Sequence, residues 1–215
     1  MTTTGTAAAN RTDRRKARTR QALLDAAVRL IAEGRSGRVS IQEITDEADI
    51  GFGSFYNHFS SKEELFQSAS EETLERWAEM IDAACSELDD PAEVFAVSVR
   101  TSGRLAWTHP EMAGFITGAG FDLLDATRGL APRALRDIRA GRAAGRFTVA
   151  DPEIALSAVL GGLVGLLRLH ARQPRRVTEA SVDALAEESL RLLGLPAGQA
   201  RRLAHLPLPA VPDGR

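Results

Sequence analysis

The sequence contains a single cysteine, Cys85, among 215 residues, which excludes an internal disulfide and any multi-cysteine metal cluster. Aromatic residues make up only 5% of the chain, and Val, Thr and Tyr are not gathered into alternating runs, so an all-β fold is not expected. Long hydrophobic runs are absent too. The longest nearly uncharged apolar stretch, Ile154 to Leu167, is 14 residues and contains three glycines and a serine. A membrane-spanning helix needs ~20. Met1 to Asn10 is small and polar, without the apolar segment of a secretory signal. The sequence offers no paired catalytic carboxylates in context, no metal spacing of His and Cys, no phosphate-binding glycine loop and no serine-centred elbow. Gly161-Gly162 falls inside a predicted helix, so it cannot cradle a phosphate. The expectation is a cytoplasmic chain that is not an enzyme and needs neither cofactor nor metal. What is present, 44% hydrophobic and 26% charged residues, is the composition of a folded globular protein rather than a disordered one.

The net charge of −2 argues against a nucleic-acid partner until it is resolved along the chain. Residues 11–20 carry six bases (Arg11, Arg14, Arg15, Lys16, Arg18, Arg20) against Asp13 alone. Residues 63–95 carry eleven acids and one base, Arg76. From residue 96 on, sixteen bases face eleven acids. A basic arm followed by an acidic segment makes a polarised molecule, whose basic end can meet phosphate while its acidic middle is held away. Charge alone is equally compatible with a solvated arm that has no partner.

Helical periodicity fills the chain. Leu24, Ala27, Val28 and Ile31 form an apolar stripe in a helix predicted over 14–33, which Gly34 and Gly37 end. Ser40-Ile-Gln-Glu43 is a capping box opening a short helix, 40–48. After the turn Asp49-Ile-Gly51, a second short helix is expected over 51–59. Ser61-Lys-Glu-Glu64 reads as another capping box, opening a long helix whose stripe runs from Phe66 to Leu88. Prolines after Asp90 and Asp151, and more weakly capped ones after His109 and Ala131, mark helix starts. Helices are predicted near 91–108, 110–118, 131–144, 152–171 and 178–194, with a further turn or two within 119–130. The fold class is all-α. The segments expected are a flexible basic arm (1–13), a three-helix unit (14–60), a longer helical unit (61–195) and an irregular tail (196–215).

Two short helices joined by a glycine-containing turn are the outline of a helix-turn-helix, in which the second helix enters the major groove. Spacing alone also fits two small core helices. The residues say more. The run Ile41 to Leu65, and within it Phe55-Tyr56-Asn57-His58-Phe59 followed by Ser61-Lys62-Glu63-Glu64-Leu65, resembles the DNA-binding signature of TetR-family regulators. The likeness covers residues 14–66 by motif; beyond that it is a helical layout, although Gly145-Arg146-Phe147 also fits. The resemblance implies a three-helix DNA-binding domain, a helical effector-binding domain and a homodimer.

It also implies residue roles. Tyr56 and His58 fall where the family contacts phosphate, and a phenol and an imidazole can both donate to phosphate oxygens. Lys62 opens a helix, where an ammonium is unfavourable unless an anion lies nearby. Ser40 and Gln42 match positions that touch backbone or base. Phe52 matches a base-facing position, although a helical wheel groups it with Phe55, Tyr56 and Phe59 as core; the base-facing reading is preferred. Its ring can meet a thymine methyl. Gly53 and Ser54 permit close backbone approach, and Asn57 is a candidate reader of adenine. The segment has no arginine, so affinity is expected to rest on phosphates and on the 11–20 block, with a steep salt dependence.

In the second half, Ala158, Gly161, Gly162 and Gly165 lie near one helix face, and Val182, Leu185, Ala186, Ser189 and Leu193 form a stripe on the next helix. Two such helices from each of two chains can build a four-helix dimer interface; an intrachain hairpin is the alternative. Trp77, Met80, Phe95, Trp107, Met112, Phe115 and Phe121 are candidates to line a cavity for an apolar, small-molecule effector, with plain core as the alternative for each. The expected function is a transcriptional repressor that binds a pseudo-palindromic double-stranded DNA operator as a homodimer, with no membrane role. A small-molecule-binding helical bundle without operator-specific DNA binding is the competing reading.

Overall fold

The structure, a computed structural model, describes residues 4–210, with side chains from Asp13 onward. Its helices are α1 (Thr4–Ala32), α2 (Ile41–Glu47), a 3₁₀ helix (Phe52–Asn57), α3 (Lys62–Ala84), α4 (Pro91–Thr108) and α5 (Pro110–Ala119). A second 3₁₀ helix (Gly120–Asp125) is followed by α6 (Leu130–Ala143), α7 (Pro152–Arg172), α8 (Glu179–Leu192) and α9 (Ala197–Ala204). Every regular element among the described residues is helical. The chain divides into two compact units, Met1–Ser70 and Glu71–Arg215. The division falls inside α3 rather than at its start.

Local chemistry accounts for the element ends. Gly34 closes α1 at φ +68°, with its amide donating to the Ile31 carbonyl and that of Arg35 to Leu30. The Ser40 box forms as expected: the Glu43 amide donates to Ser40 Oγ (3.2 Å), and the Ser40 amide donates to Glu43 Oε2 (2.8 Å). The second box differs. The Glu64 amide does donate to Ser61 Oγ, but the Glu64 carboxylate accepts from the amide and hydroxyl of Ser60, one residue earlier. Both Glu43 and Glu64 carboxyls are held below their ordinary range by these serine hydrogen bonds.

Three expectations change. The arm expected to be flexible over 1–13 is helical from Thr4, with Ala7, Ala8 and Ala9, the strongest helix formers, in the extension; residues 1–3 lie outside the described residues. The tail beyond 195 is not irregular throughout. Pro196 stands at the N-cap of α9, whose Ala200, Leu203 and Ala204 are buried, and the other tail prolines lie beyond the helix end. The segment 51–59 is a single 3₁₀ stretch, not an α-helix; Gly51 and Gly53 weaken helix formation there.

In the first unit Leu23, Leu24, Ala27 and Leu30 of α1 close over Ile44, Phe55, Phe59 and Leu65. Phe55 is fully buried, a contribution of roughly 1.5–3 kcal/mol. In the second unit α4 is the central helix, packed by α5, α6, α7, α8 and α9. Val182 of α8 fills the space left by Gly103 on α4, where a Cβ would stand 2.6 Å from Val182 Cγ1. Phe147 lies on Gly141 of α6 and meets Phe95 edge-on at 6.1 Å. With 21 residues, α7 is long and apolar enough to cross a membrane by length and composition. Its stripe Ala155, Leu156, Val159, Leu163, Val164 and Leu167 is buried within the unit, whereas Ile154, Ala158 and Gly165 are exposed.

Candidate nucleic-acid interface and ligand cavity

The α2–turn–3₁₀ segment places two aromatics inside and two outside. Phe55 and Phe59 are buried, whereas Phe52 is 46% and Tyr56 55% exposed. The outward rings meet edge-to-face with centroids 5.9 Å apart. The grouping of Phe52 with the core is thus not what forms. The turn explains the exit direction. Asp49 adopts φ +52°, its amide donates to Asp46, and the Ile50 amide reaches back to the Thr45 carbonyl. Beside the rings, Gly53 and Asn57 are exposed and Ser54 is half-buried. Exposed Gln42 is oriented by its amide donating to Asp46 Oδ1 at 2.7 Å. The Ser40 hydroxyl is committed to the Glu43 cap.

Lys62 has a partner that spacing did not reveal: its ammonium donates to the Val39 carbonyl at 3.1 Å. His58 is half-buried, and its pKa is pushed down first by burial and then by the positive charges of Lys16 and Arg20. The Arg20 guanidinium lies 5.5 Å over the Phe59 ring. The basic block was legible; that Lys16 and Arg20, four residues apart on α1, are the members facing His58 was not.

The second unit contains a cavity of about 80 Å³ that is partly open to solvent. Leu74, Ala78 and Ile81 of α3, Phe95 and Val99 of α4, Ile116 of α5, Leu130 and Ala134 of α6 and Leu156, Val159 and Leu163 of α7 supply apolar wall. Asp82, Ser98, Ser102, Arg133 and Asp137 supply the polar part. Arg133 staples α6 to α3: its Nε donates to Asp82 Oδ2 at 2.7 Å, and its two terminal nitrogens donate to Glu75 at 2.8 and 3.0 Å. Glu75 also accepts from the Gly129 amide, and its carboxyl is held below the usual range, chiefly by Arg133. Arg133 is correspondingly raised, first by Glu75 and also by Asp82, against the lowering effect of burial. The Cys85 thiol is pushed up to about 11 by burial and is inert in this setting.

Of the seven residues expected to line a cavity, Phe95 is on the wall of this one and the other six are not. Trp77 and Phe115 are core; Trp77 stacks edge-on with His109 at 5.4 Å. Met80 and Met112 are half-buried off the wall. Trp107 is 41% exposed against His170, and Phe121 is 61% exposed with its ring over Gly161. The cavity wall is built mainly from aliphatic and small side chains, so a search for aromatics pointed elsewhere. Asp82 and Arg133 are 51 positions apart, and no spacing in the sequence couples them.

The expected dimer residues divide. On α7, Ala158 and Gly165 are exposed and Gly161 and Gly162 half-buried. Gly162 faces its own chain, where a Cβ would stand 2.8 Å from Leu185 Cδ1. On α8, Val182, Ala186 and Leu193 are fully buried, Ser189 is 4% exposed, and Leu185 is packed against the same core. That stripe is intrachain: α8 spends it on α4 and α9. An apolar stripe reports that a partner exists, not which chain supplies it.

Comparison with known proteins fits this geometry. Residues 23–69 match the bacterial regulatory proteins of the tetR family, and residues 90–206 match the tetracyclin repressor-like C-terminal domain. The chain is 37% identical over 87 residues to an uncharacterised HTH-type transcriptional regulator of Haemophilus influenzae, covering 40% of this chain and 42% of that protein. It is 35% identical over 79 residues to the regulator YxbF of Bacillus subtilis, covering 36% and 18%. These matches span less than half the length of either curated relative. Among solved structures, RolR in complex with its ligand resorcinol superposes with a TM-score of 0.70 at 35% identity, over 93% of this chain and 99% of that one. The fatty acid degradation regulator FadR of Bacillus halodurans shares the fold, with a TM-score of 0.63 at 20% identity over 81% and 94%. The two matched domains together with the helix-turn-helix that presents Phe52 and Tyr56 lead to one conclusion: the chain belongs to the TetR family of bacterial transcriptional regulators.

Proposed function

We propose that this regulator is a cytoplasmic repressor that binds a pseudo-palindromic operator as a homodimer and is released when a small, largely apolar effector enters the second-unit cavity. The observation that carries the DNA reading is the outward placement of Phe52 and Tyr56 in a unit that buries Phe55 and Phe59. Large exposed rings in the same unit as His58 and the Lys16 and Arg20 charges that face it suit a surface that meets base edges and phosphates together. In this reading Tyr56, His58 and Lys62 contact phosphate, Ser40 and Gln42 brace the backbone, Asn57 reads a base, Phe52 meets a thymine methyl, and Gly53 and Ser54 let the backbone approach. Two copies are needed because one small reading segment makes few base contacts. The exposed α7 positions Ile154, Ala158 and Gly165, with half-buried Gly161 beside them, form the surface we assign to the second copy.

Resorcinol in the RolR structure supports a small effector for the cavity described here. Effector and operator then favour different members of one ensemble, and each weakens the other's binding by the same factor. Genome-wide footprinting of the purified protein, followed by titration of the recovered operator at low and high salt, tests the reading. It predicts protected pseudo-palindromes and a steep loss of affinity with salt. An absence of binding even at low salt would instead favour a ligand-binding bundle with no operator.

A further inference from the structure

Beyond α1, the first unit carries three Arg or Lys side chains, Arg35, Arg38 and Lys62. Arg35 is answered by Glu33 at 2.9 Å and lies 4.0 Å from Glu43. Glu43, the carboxylate at this end of α2, is in turn spent on the amide and hydroxyl of Ser40, both at 2.8 Å. Arg29 of α1 is likewise answered, by Glu47 at 2.8 Å. Arg38 differs. It is exposed, and no carboxylate among the described residues pairs with it. Lys62 meets a neutral group, the Val39 carbonyl, at 3.1 Å. That carbonyl belongs to the residue next to Arg38. Two cations without a counter-charge therefore converge on one corner, just ahead of Ser40.

The corner is both fixed and open. The Arg38 amide donates to the Arg35 carbonyl at 2.9 Å, and the Val39 side chain is 3% exposed, so the backbone at 38–39 is anchored from both sides. Gly37 leaves room for an approaching chain, since an added Cβ there has no neighbour within 4 Å. Two like charges at a fixed corner repel in the free protein and gain from an incoming anion. Exposed Ser40 and Gln42, proposed above to brace the DNA backbone, follow directly in the chain. A guanidinium stays charged at any working pH, and its fork fits two phosphate oxygens at once. We infer that Arg38 is a further DNA-contacting residue, a phosphate anchor beside Lys62 that adds affinity and orients α2 on the backbone without reading bases. The inference rests on the DNA-binding reading of the first unit.

The test is fluorescence anisotropy of the full chain on its recovered operator and on a random duplex of equal length, over ~50–200 mM salt. The variants are Arg38→Ala, Arg38→Lys and Arg142→Ala, with circular dichroism and Tm to establish that each is folded. Arg142 is an exposed arginine at the end of α6 and controls for the loss of one positive charge. Arg38→Ala is expected to bind both duplexes about tenfold more weakly and to lower the salt slope by about one. Arg38→Lys should recover the slope but only part of the affinity, because the fork is lost. Arg142→Ala should match the wild type on both duplexes. A wild-type slope in Arg38→Ala, an equal change in Arg142→Ala, or a loss confined to the operator overturns the inference; the last would make Arg38 a base reader. The two readings fail separately. If the wild type binds neither duplex at low salt, the DNA-binding reading falls and takes this inference with it. If the wild type binds with a steep salt dependence that Arg38→Ala shares in full, only the assignment of Arg38 falls.

Discussion

Lys62 at the start of α3 and Val39 ahead of α2 are joined by a 3.1 Å hydrogen bond from the ammonium to the carbonyl. The contact fixes the N-terminus of α3 to the N-terminus of α2, beside the Ser40 cap. It also holds an ammonium, with donors to spare, close to the proposed phosphate path. Lys62→Ala is expected to cost about 1 kcal/mol of stability, the ordinary worth of such a bond. It should lower operator affinity about tenfold and flatten its salt dependence, since one phosphate contact is lost. Denaturant titration and anisotropy at several salt concentrations measure the two effects separately.

His58 predicts a pH response of defined sign. Its folded pKa lies below 6.5 because burial, Lys16 and Arg20 disfavour the imidazolium. As pH falls through the region near and below 6.5, the unfolded chain takes up the proton before the folded one does, so stability declines. A phosphate beside His58 favours the imidazolium, so operator binding takes up a proton and tightens as pH falls from 8 toward 6. His58→Gln should remove both trends. A wild-type affinity that is flat with pH in low salt would remove His58 from the phosphate path.

Gly141 carries Phe147 on its open face, and an added Cβ would lie 2.3 Å from two ring carbons. Alanine is the better helix former by about 1 kcal/mol, yet Gly141→Ala is expected to destabilise by about 1–3 kcal/mol, because the ring is confined in the core. Gly165, with nothing within 4 Å of its added Cβ, is the control. Gly165→Ala should follow propensity in the monomer and weaken self-association if the exposed α7 face is the interface.

Asp49 stands at φ +52° at the end of α2, a conformation L side chains adopt only with strain. Asp49→Gly is expected to raise stability by about 0.4–1 kcal/mol, with the backbone strain removed and part of the gain offset by unfolded-chain entropy. A loss of stability in thermal denaturation would show that the Asp49 side chain contributes more than its backbone costs.

The proposed dimer gives a contrast between two helices. Ala158 is exposed on α7 and Val182 of α8 is fully buried against Gly103 of α4. Ala158→Arg should yield a folded monomer in sedimentation and lose operator binding. Val182→Arg should fail to fold, because a charge has no partner in that core. A dimeric Ala158→Arg protein would place the interface elsewhere.

The sequence by itself determined where α2, α4 and α7 begin, though neither the start of α1 nor the presence of α9. Caps such as Ser40, Asp90 and Asp151, and prolines at first helical positions, act through neighbours within four residues, and so they are visible as spacing. The family signature from Phe55 to Leu65 is local in the same sense. Tertiary structure alone decided the partners. Whether Val182 and Ala186 face a second chain or their own α4, whether Phe52 turns in or out, and which carboxylates Arg133 holds 51 and 58 positions away depend on how helices pack. A stripe records that a face is buried, while its partner is chosen by the shape and charge of surfaces distant in the chain, which periodicity does not encode.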